Sequence, residues 1–221
     1  LLISTTDVHC SLQSISANSY QSVTQPLFVI TSWYNKDTFN IGGIDVKLQD
    51  WFEKGMTFAT YVDSMSVHRK ELLHIYNTIE LPKLELNIGT RVVVLTADWC
   101  GDAMLCVPII QRMCEQHGVE SRFLIRDENL ELMDQYLTNG TSRAIPIFIF
   151  LNENWEEHAV WGPRSQLVQD FITTERAQLP TKEDPTFEDK QKAMYATFRH
   201  KLSTDTTIWN SVIESVTERL S

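Results

Sequence analysis

The chain is poor in cysteine and glycine and has no run of positive charge, and each shortage closes off a class of function. Its 221 residues include four cysteines, Cys10, Cys100, Cys106 and Cys114. On one continuous helix Cys100 and Cys106 would be separated by about 9 Å of axial rise, beyond the ~7 Å Cα limit of an unstrained bridge. So sparse a set makes no disulfide framework; it predicts reduced thiols in a reducing, cytoplasmic compartment. The histidines, at positions 9, 68, 74, 117, 158 and 200, share no metal-ligand spacing with one another or with the cysteines, so no metal site is expected. No phosphate-binding loop is present either, because Asn40-Ile41-Gly42-Gly43 lacks the lysine that would follow. With 19 basic against 29 acidic residues the formal net charge is -10, a field that repels phosphate backbones and anionic lipid. Neither nucleic acid nor a membrane is an expected partner. The apolar stretches, such as Pro26-Leu27-Phe28-Val29-Ile30, fall far short of the ~20 residues that span a bilayer, and no charged-then-apolar signal peptide is seen.

What is present divides into four segments. Residues 1–45 form an N-terminal segment of unassigned role, rich in Ser, Thr, Gln and Asn, with Asp7 as the one formal charge of its first thirty-five residues. Residues 46–87 read as a helical extension. Leu48, Trp51 and Phe52 repeat at helical spacing up to Gly55; Thr57 precedes Phe58, Tyr61, Val62 and Met65; and a third helix opens at Ser66 and runs through Leu72, Ile75 and Ile79 before Pro82.

Residues 88–178 alternate strand and helix. Arg91-Val92-Val93-Val94-Leu95-Thr96 suits a buried strand, and residues 100–117 form a helix closed by Gly118. Residues 122–125 give a second strand, and Leu132, Met133, Tyr136 and Leu137 predict a helix reaching Asn139-Gly140. Residues 147–151 and 158–161 form an antiparallel hairpin, and a helix over 164–177 completes the unit. This order is an α/β layered architecture, a central mixed sheet flanked by helices. Residues 179–221 are a charged C-terminal extension of two helices, whose apolar faces are cheapest to bury against the same domain.

The chemistry concentrates in Ala97-Asp98-Trp99-Cys100-Gly101-Asp102-Ala103, directly after a strand and opening a helix. A sulfur at that junction faces unpaired backbone N–H groups and the positive end of the helix dipole, both of which favour thiolate over thiol. Asp102 partly opposes that effect. Cys106 and Cys114, among Val107, Ile110 and Met113, read as packing residues. Asp98, Asp127, Glu128 and Glu131 read as caps and a solvated acidic rim.

Around this motif the sequence resembles the thioredoxin family. Pro108 lies where that family carries a helix-kinking proline, Ile145-Pro146 where it carries its cis-proline, and Trp161-Gly162 near its glycine-containing turn. The segments Trp99 to Met104, Arg126 to Leu130, Asp134 to Gly140 and Trp161-Gly162-Pro163-Arg164 look like a bacterial thioredoxin-like subfamily with a Trp-Cys-Gly-Asp-Ala motif. The resemblance implies a thioredoxin fold with Cys100 as nucleophile. Trp99, Gly101, Asp102 and Ala103 would form the thiolate's surroundings, and Ile145, Pro146, Trp161 and Gly162 a docking surface for a protein substrate. Two departures matter. Ala103 replaces the resolving cysteine, and Val94 replaces a buried acid that assists proton transfer. What remains is monothiol exchange on protein disulfides or mixed disulfides, with a low-molecular-weight thiol as resolver and no other cofactor. The alternative is a redox-inert adaptor holding a protein partner in the cis-proline groove.

Overall fold

The computed structural model describes residues 47–221, so the expected N-terminal segment and Cys10 lie outside the described residues. In chain order the elements are α1 (Leu48–Lys54), α2 (Phe58–Ser64), α3 (Arg69–Thr78), β1 (Arg91–Thr96), α4 (Gly101–Gln116) and β2 (Glu120–Ile125). A 3-10 turn (Arg126–Glu128) leads to α5 (Leu130–Met133), β3 (Ile147–Leu151), β4 (Glu157–Trp161), α6 (Gln166–Ala177), α7 (Phe187–Thr204) and α8 (Thr206–Leu220). The sheet order is β2-β1-β3-β4, with β1 parallel to β2 and antiparallel to β3, and β4 antiparallel to β3.

Side-chain alternation divides the sheet between two cores. Val92, Val94, Phe148 and Phe150 point to one face, where α2, α3, α4, α6, α7 and α8 bury their apolar sides. Val93, Leu95, Ile147, Ile149 and Leu151 point to the other, covered by Trp51 and Phe52 of α1 and by Leu132 and Met133 of α5. Burial on both faces is why β1 and β3 are continuous apolar runs rather than alternating ones. Helix α4 is buried along most of its length, Pro108 included. The helices on either side of the strand-and-helix segment therefore share its core.

Two helix boundaries differ from expectation and a third falls where expected, each for a visible reason. Helix α3 starts at Arg69, not Ser66, because the Asp98 carboxylate accepts the backbone N–H groups of Ser66 and Val67, at 2.8 and 3.2 Å, and His68 turns left-handed at φ 60. Helix α5 stops at Met133, short of the expected Asn139-Gly140. Asn139 and Gly140 both take positive φ, 54 and 68, and Thr138 pairs with Ser142, so this stretch is a turn. Gly55 ends α1 as expected, though at φ -70; a Cβ there would lie 2.6 Å from Arg122 Cβ, so the glycine lets Met56 pair with Phe123 on the edge of β2.

The C-terminal helices close the first core. Trp209 donates its indole N–H to Leu202 O at 2.8 Å, and Arg219 Nε donates to Val160 O at 2.9 Å. Among the described residues no helix is long and apolar enough to cross a membrane.

Candidate active site at Cys100

The chain leaves β1 at Thr96 and turns through Asp98 and Trp99 into α4, with Cys100 as the extended residue that caps it, φ -87 and ψ 120. The Cys100 carbonyl accepts the first helical bond, from Met104 N at 3.0 Å. The backbone N–H groups of Asp102 and Ala103 turn toward the sulfur and favour its ionisation. In the resting geometry the thiol donates to Ile145 O, 3.3 Å away. That carbonyl precedes Pro146, and the Ile145–Pro146 peptide bond is cis, as is Gly162–Pro163. A Cβ on Gly162, at φ +138, would sit 2.2 Å from Pro146 O, so only glycine lets the β4–α6 connection lie against this loop.

The electrostatics of Cys100 run opposite to the sequence expectation. Burial of the thiol is the largest influence and the Asp102 carboxylate adds to it, and together they overcome the two N–H groups and push the thiol up to about 11. The helix terminus was legible in the sequence; the packing around the sulfur was not. Cys106 and Cys114 are buried, their thiols also pushed up by burial, and all three described cysteines are free. With Ala103 wholly buried where a resolver would stand, no second thiol among the described residues is presented at the surface beside Cys100.

Asp102 is not simply a nearby charge. It is buried, and Arg164 donates to its Oδ2 at 2.5 Å. Burial still raises its carboxyl above the usual carboxylate range, with Arg164 opposing. An acid on the inner side of so apolar a helix calls for a cation. That signal could have pointed to Arg164, although 62 residues separate the pair.

The remaining expected residues separate into two groups. Trp99 is 49% exposed, its ring facing the Arg126 guanidinium at 4.7 Å from the centroid. Gly101 has open space where a Cβ would point. Ile145, Pro146 and Trp161 are buried, and the Trp161 indole N–H donates to Ser215 of α8 at 3.0 Å. Packing under α8 thus withdraws the Trp161 side chain from the expected docking surface. Of the residues expected around the thiol and the docking surface, Trp99 is exposed and Gly101 partly exposed.

A cavity of about 340 Å³ opens beside Cys100, between the motif and the helices α6 and α7, with His68, Arg164, Arg176 and Arg199 in its wall. Sequence reading gave none of these four a role at the site, although Arg164 stands in the Trp161-Gly162-Pro163-Arg164 segment quoted for the resemblance. They come from three separate regions of the chain, and nothing local links them. Among the described residues no group of three or more His, Cys, Asp or Glu side chains is placed to hold a metal ion.

Residues 55–178, more than half of the chain, match the family model described as thioredoxin. The match begins inside the helical segment before β1. No curated protein matches the chain. Among solved structures, a 1.5 Å crystal structure of a protein of unknown function from Pseudomonas aeruginosa is similar, at 17% identity and TM-score 0.49, covering 76% of this chain and 97% of that one. A crystallised HIV epitope-scaffold is similar at 16% identity and TM-score 0.47, covering 75% of this chain and 96% of its own.

Proposed function

Because this chain belongs to the thioredoxin family, we propose that it exchanges thiols and disulfides through one cysteine, Cys100, acting on protein disulfides or on proteins carrying a mixed disulfide. The observation that carries this reading is the placement of the Cys100 sulfur, at the open start of α4, against the Ile145 carbonyl and within reach of the Asp102 and Ala103 N–H groups. Those donors are already oriented to accept the negative charge that forms when the thiol ionises.

Cys100 loses its proton to solvent, and the thiolate attacks one sulfur of the substrate disulfide. A Cys100–sulfur bond forms, the substrate S–S bond breaks, and the departing thiolate takes up a proton. A low-molecular-weight thiol then attacks the mixed disulfide, restoring Cys100 and carrying away the bound sulfur as a new disulfide. On a mixed disulfide one cycle frees the protein thiol and leaves the small thiol as its own disulfide; on an intramolecular protein disulfide one cycle leaves a protein sulfur joined to the small thiol, and attack by a second small thiol completes the two-electron reduction, with no other cofactor. An extended substrate strand would pair with backbone at the cis-proline loop while Trp99 covers its side chains. A reducing, cytoplasmic setting fits free thiols at Cys100, Cys106 and Cys114.

The raised Cys100 pKa favours a second reading, a redox-inert adaptor that holds a partner peptide on the same surface without exchange. The two separate in one experiment. A model protein carrying a small-thiol mixed disulfide is incubated with that thiol, with and without the chain, from pH 7 to 10. Exchange predicts faster release with the wild-type chain and none of that acceleration with Cys100→Ser. Release no faster than with thiol alone across the range, together with a Cys100→Ser chain that still binds its partner, would establish the adaptor.

A further inference from the structure

The cavity beside Cys100 has a charge opposite to that of the molecule around it. The chain as a whole carries -10, yet Arg164, Arg176 and Arg199 line this one space and Asp102 is the sole carboxylate among the lining residues. Asp102 is already paired with Arg164. Arg176 donates to the Tyr195 hydroxyl at 2.8 Å, and neither it nor Arg199 forms an ion pair among the described residues. Two arginines without a carboxylate partner give this opening a positive local field that draws an anion. Arg164 adds a further sign: its Nε is buried without a hydrogen-bond partner.

From this geometry we infer that the cavity binds a low-molecular-weight thiol bearing carboxylates, or its disulfide, and presents its sulfur to Cys100. The inference rests on the exchange reading and names its small-molecule substrate. About 340 Å³ is at the lower end of the volumes that enclose small ligands. Carboxylate fits better than phosphate. Guanidinium forks take either anion, but phosphate sites are typically also built on a cradle of backbone N–H groups, and those nearest here are turned to the sulfur. Trp99 and Phe198 supply apolar wall for the carbon skeleton. In the step itself the Cys100 thiolate attacks the ligand-side sulfur of a mixed disulfide, a Cys100–ligand disulfide forms, and the protein or small-molecule half leaves as a thiol, taking up the proton that Cys100 released.

The arginines on α6 and α7 make this a property of the C-terminal half acting on the motif. The test uses the full chain and three small disulfides of like size: 3,3'-dithiodipropionate with two carboxylates, neutral 2-hydroxyethyl disulfide, and cationic cystamine. Calorimetric binding to the folded Cys100→Ser chain is measured first, since it needs no reaction. The dianion is expected to bind at least about tenfold more tightly than the neutral or cationic probe, with the preference falling at high salt. Arg176→Gln with Arg199→Gln should remove that preference, whereas Lys192→Gln, an exposed cation of α7 outside the cavity, should retain it. Equal affinity for dianion and neutral probe overturns the inference.

Adduct formation on the wild-type chain is then compared with a free thiol as reference. Binding preference without any Cys100 adduct would sink the exchange reading and leave the anion site standing. Adducts from all three probes at the free-thiol ratio would sink the anion site and leave exchange standing.

Discussion

At the scale of single residues, Cys100 sets two influences against each other, and burial wins. With the thiol pushed up to about 11, roughly one molecule in 10⁴ carries a thiolate at pH 7. The sign follows directly: a raised thiol pKa means less thiolate, so the Cys100 alkylation rate should climb about tenfold per pH unit through pH 8 and 9 with no plateau near neutrality. A plateau below pH 8 would contradict the packing argument. Asp102→Asn removes the second-largest influence raising that pKa and leaves the Arg164 charge unopposed, so the Cys100 titration should move to lower pH. The same substitution breaks a mostly buried ion pair and should cost about 3 kcal/mol in a denaturant melt. Two glycines give a paired prediction. Gly162→Ala places a methyl 2.2 Å from a backbone oxygen at positive φ and should destabilise strongly, while Gly101→Ala, in open space, should be neutral or gain up to about 1 kcal/mol. Comparable melts for the two variants would show that the Gly162 contact is not as tight as described.

At the scale of elements, β1, β3 and the hairpin were legible because a strand buried on both faces announces itself as a short apolar run bounded by turns. Helix α4 was legible from its cap and from Gly118. The boundaries that moved did so through contacts distant in sequence. Asp98 takes the N–H groups that would have opened α3 at Ser66, and the chain leaves α5 after Met133 for the turn closed by Thr138 and Ser142, although Tyr136 and Leu137 keep a helical spacing. Asp98→Ala should therefore free the α2–α3 connection next to the cavity, seen as faster amide exchange at Ser66 and Val67. Unchanged protection at both positions would mean the carboxylate is dispensable there. The site shows the same division. Cys100 and Pro146 were readable in place, whereas the Asp102–Arg164 pair and the arginines of α6 and α7 come together only in three dimensions.

At the scale of the whole molecule, the family match ends at residue 178, yet the core does not. Phe198, Leu202, Trp209, Val212 and Val216 of α7 and α8 are buried in the same cluster as α4 and one face of the sheet. A chain ending at residue 178 would expose all of that surface and should show no cooperative unfolding transition; a sharp melt from it would contradict the shared core. Trp209→Ala alone should cost about 3–5 kcal/mol. The dependence has a functional side as well, since α7 supplies part of the wall beside Cys100.

The central claim is that Cys100 alone performs reversible exchange, and intact-mass measurement tests it most directly. The folded chain carrying Cys10→Ser is incubated with neutral 2-hydroxyethyl disulfide at pH 9, its mass recorded, and a small free thiol then added. One adduct per chain is predicted, located at Cys100 by peptide mapping, absent from Cys100→Ser and removed by the added thiol. A folded chain that stays unmodified at Cys100 after long incubation, or an adduct there that added thiol does not remove, would contradict it.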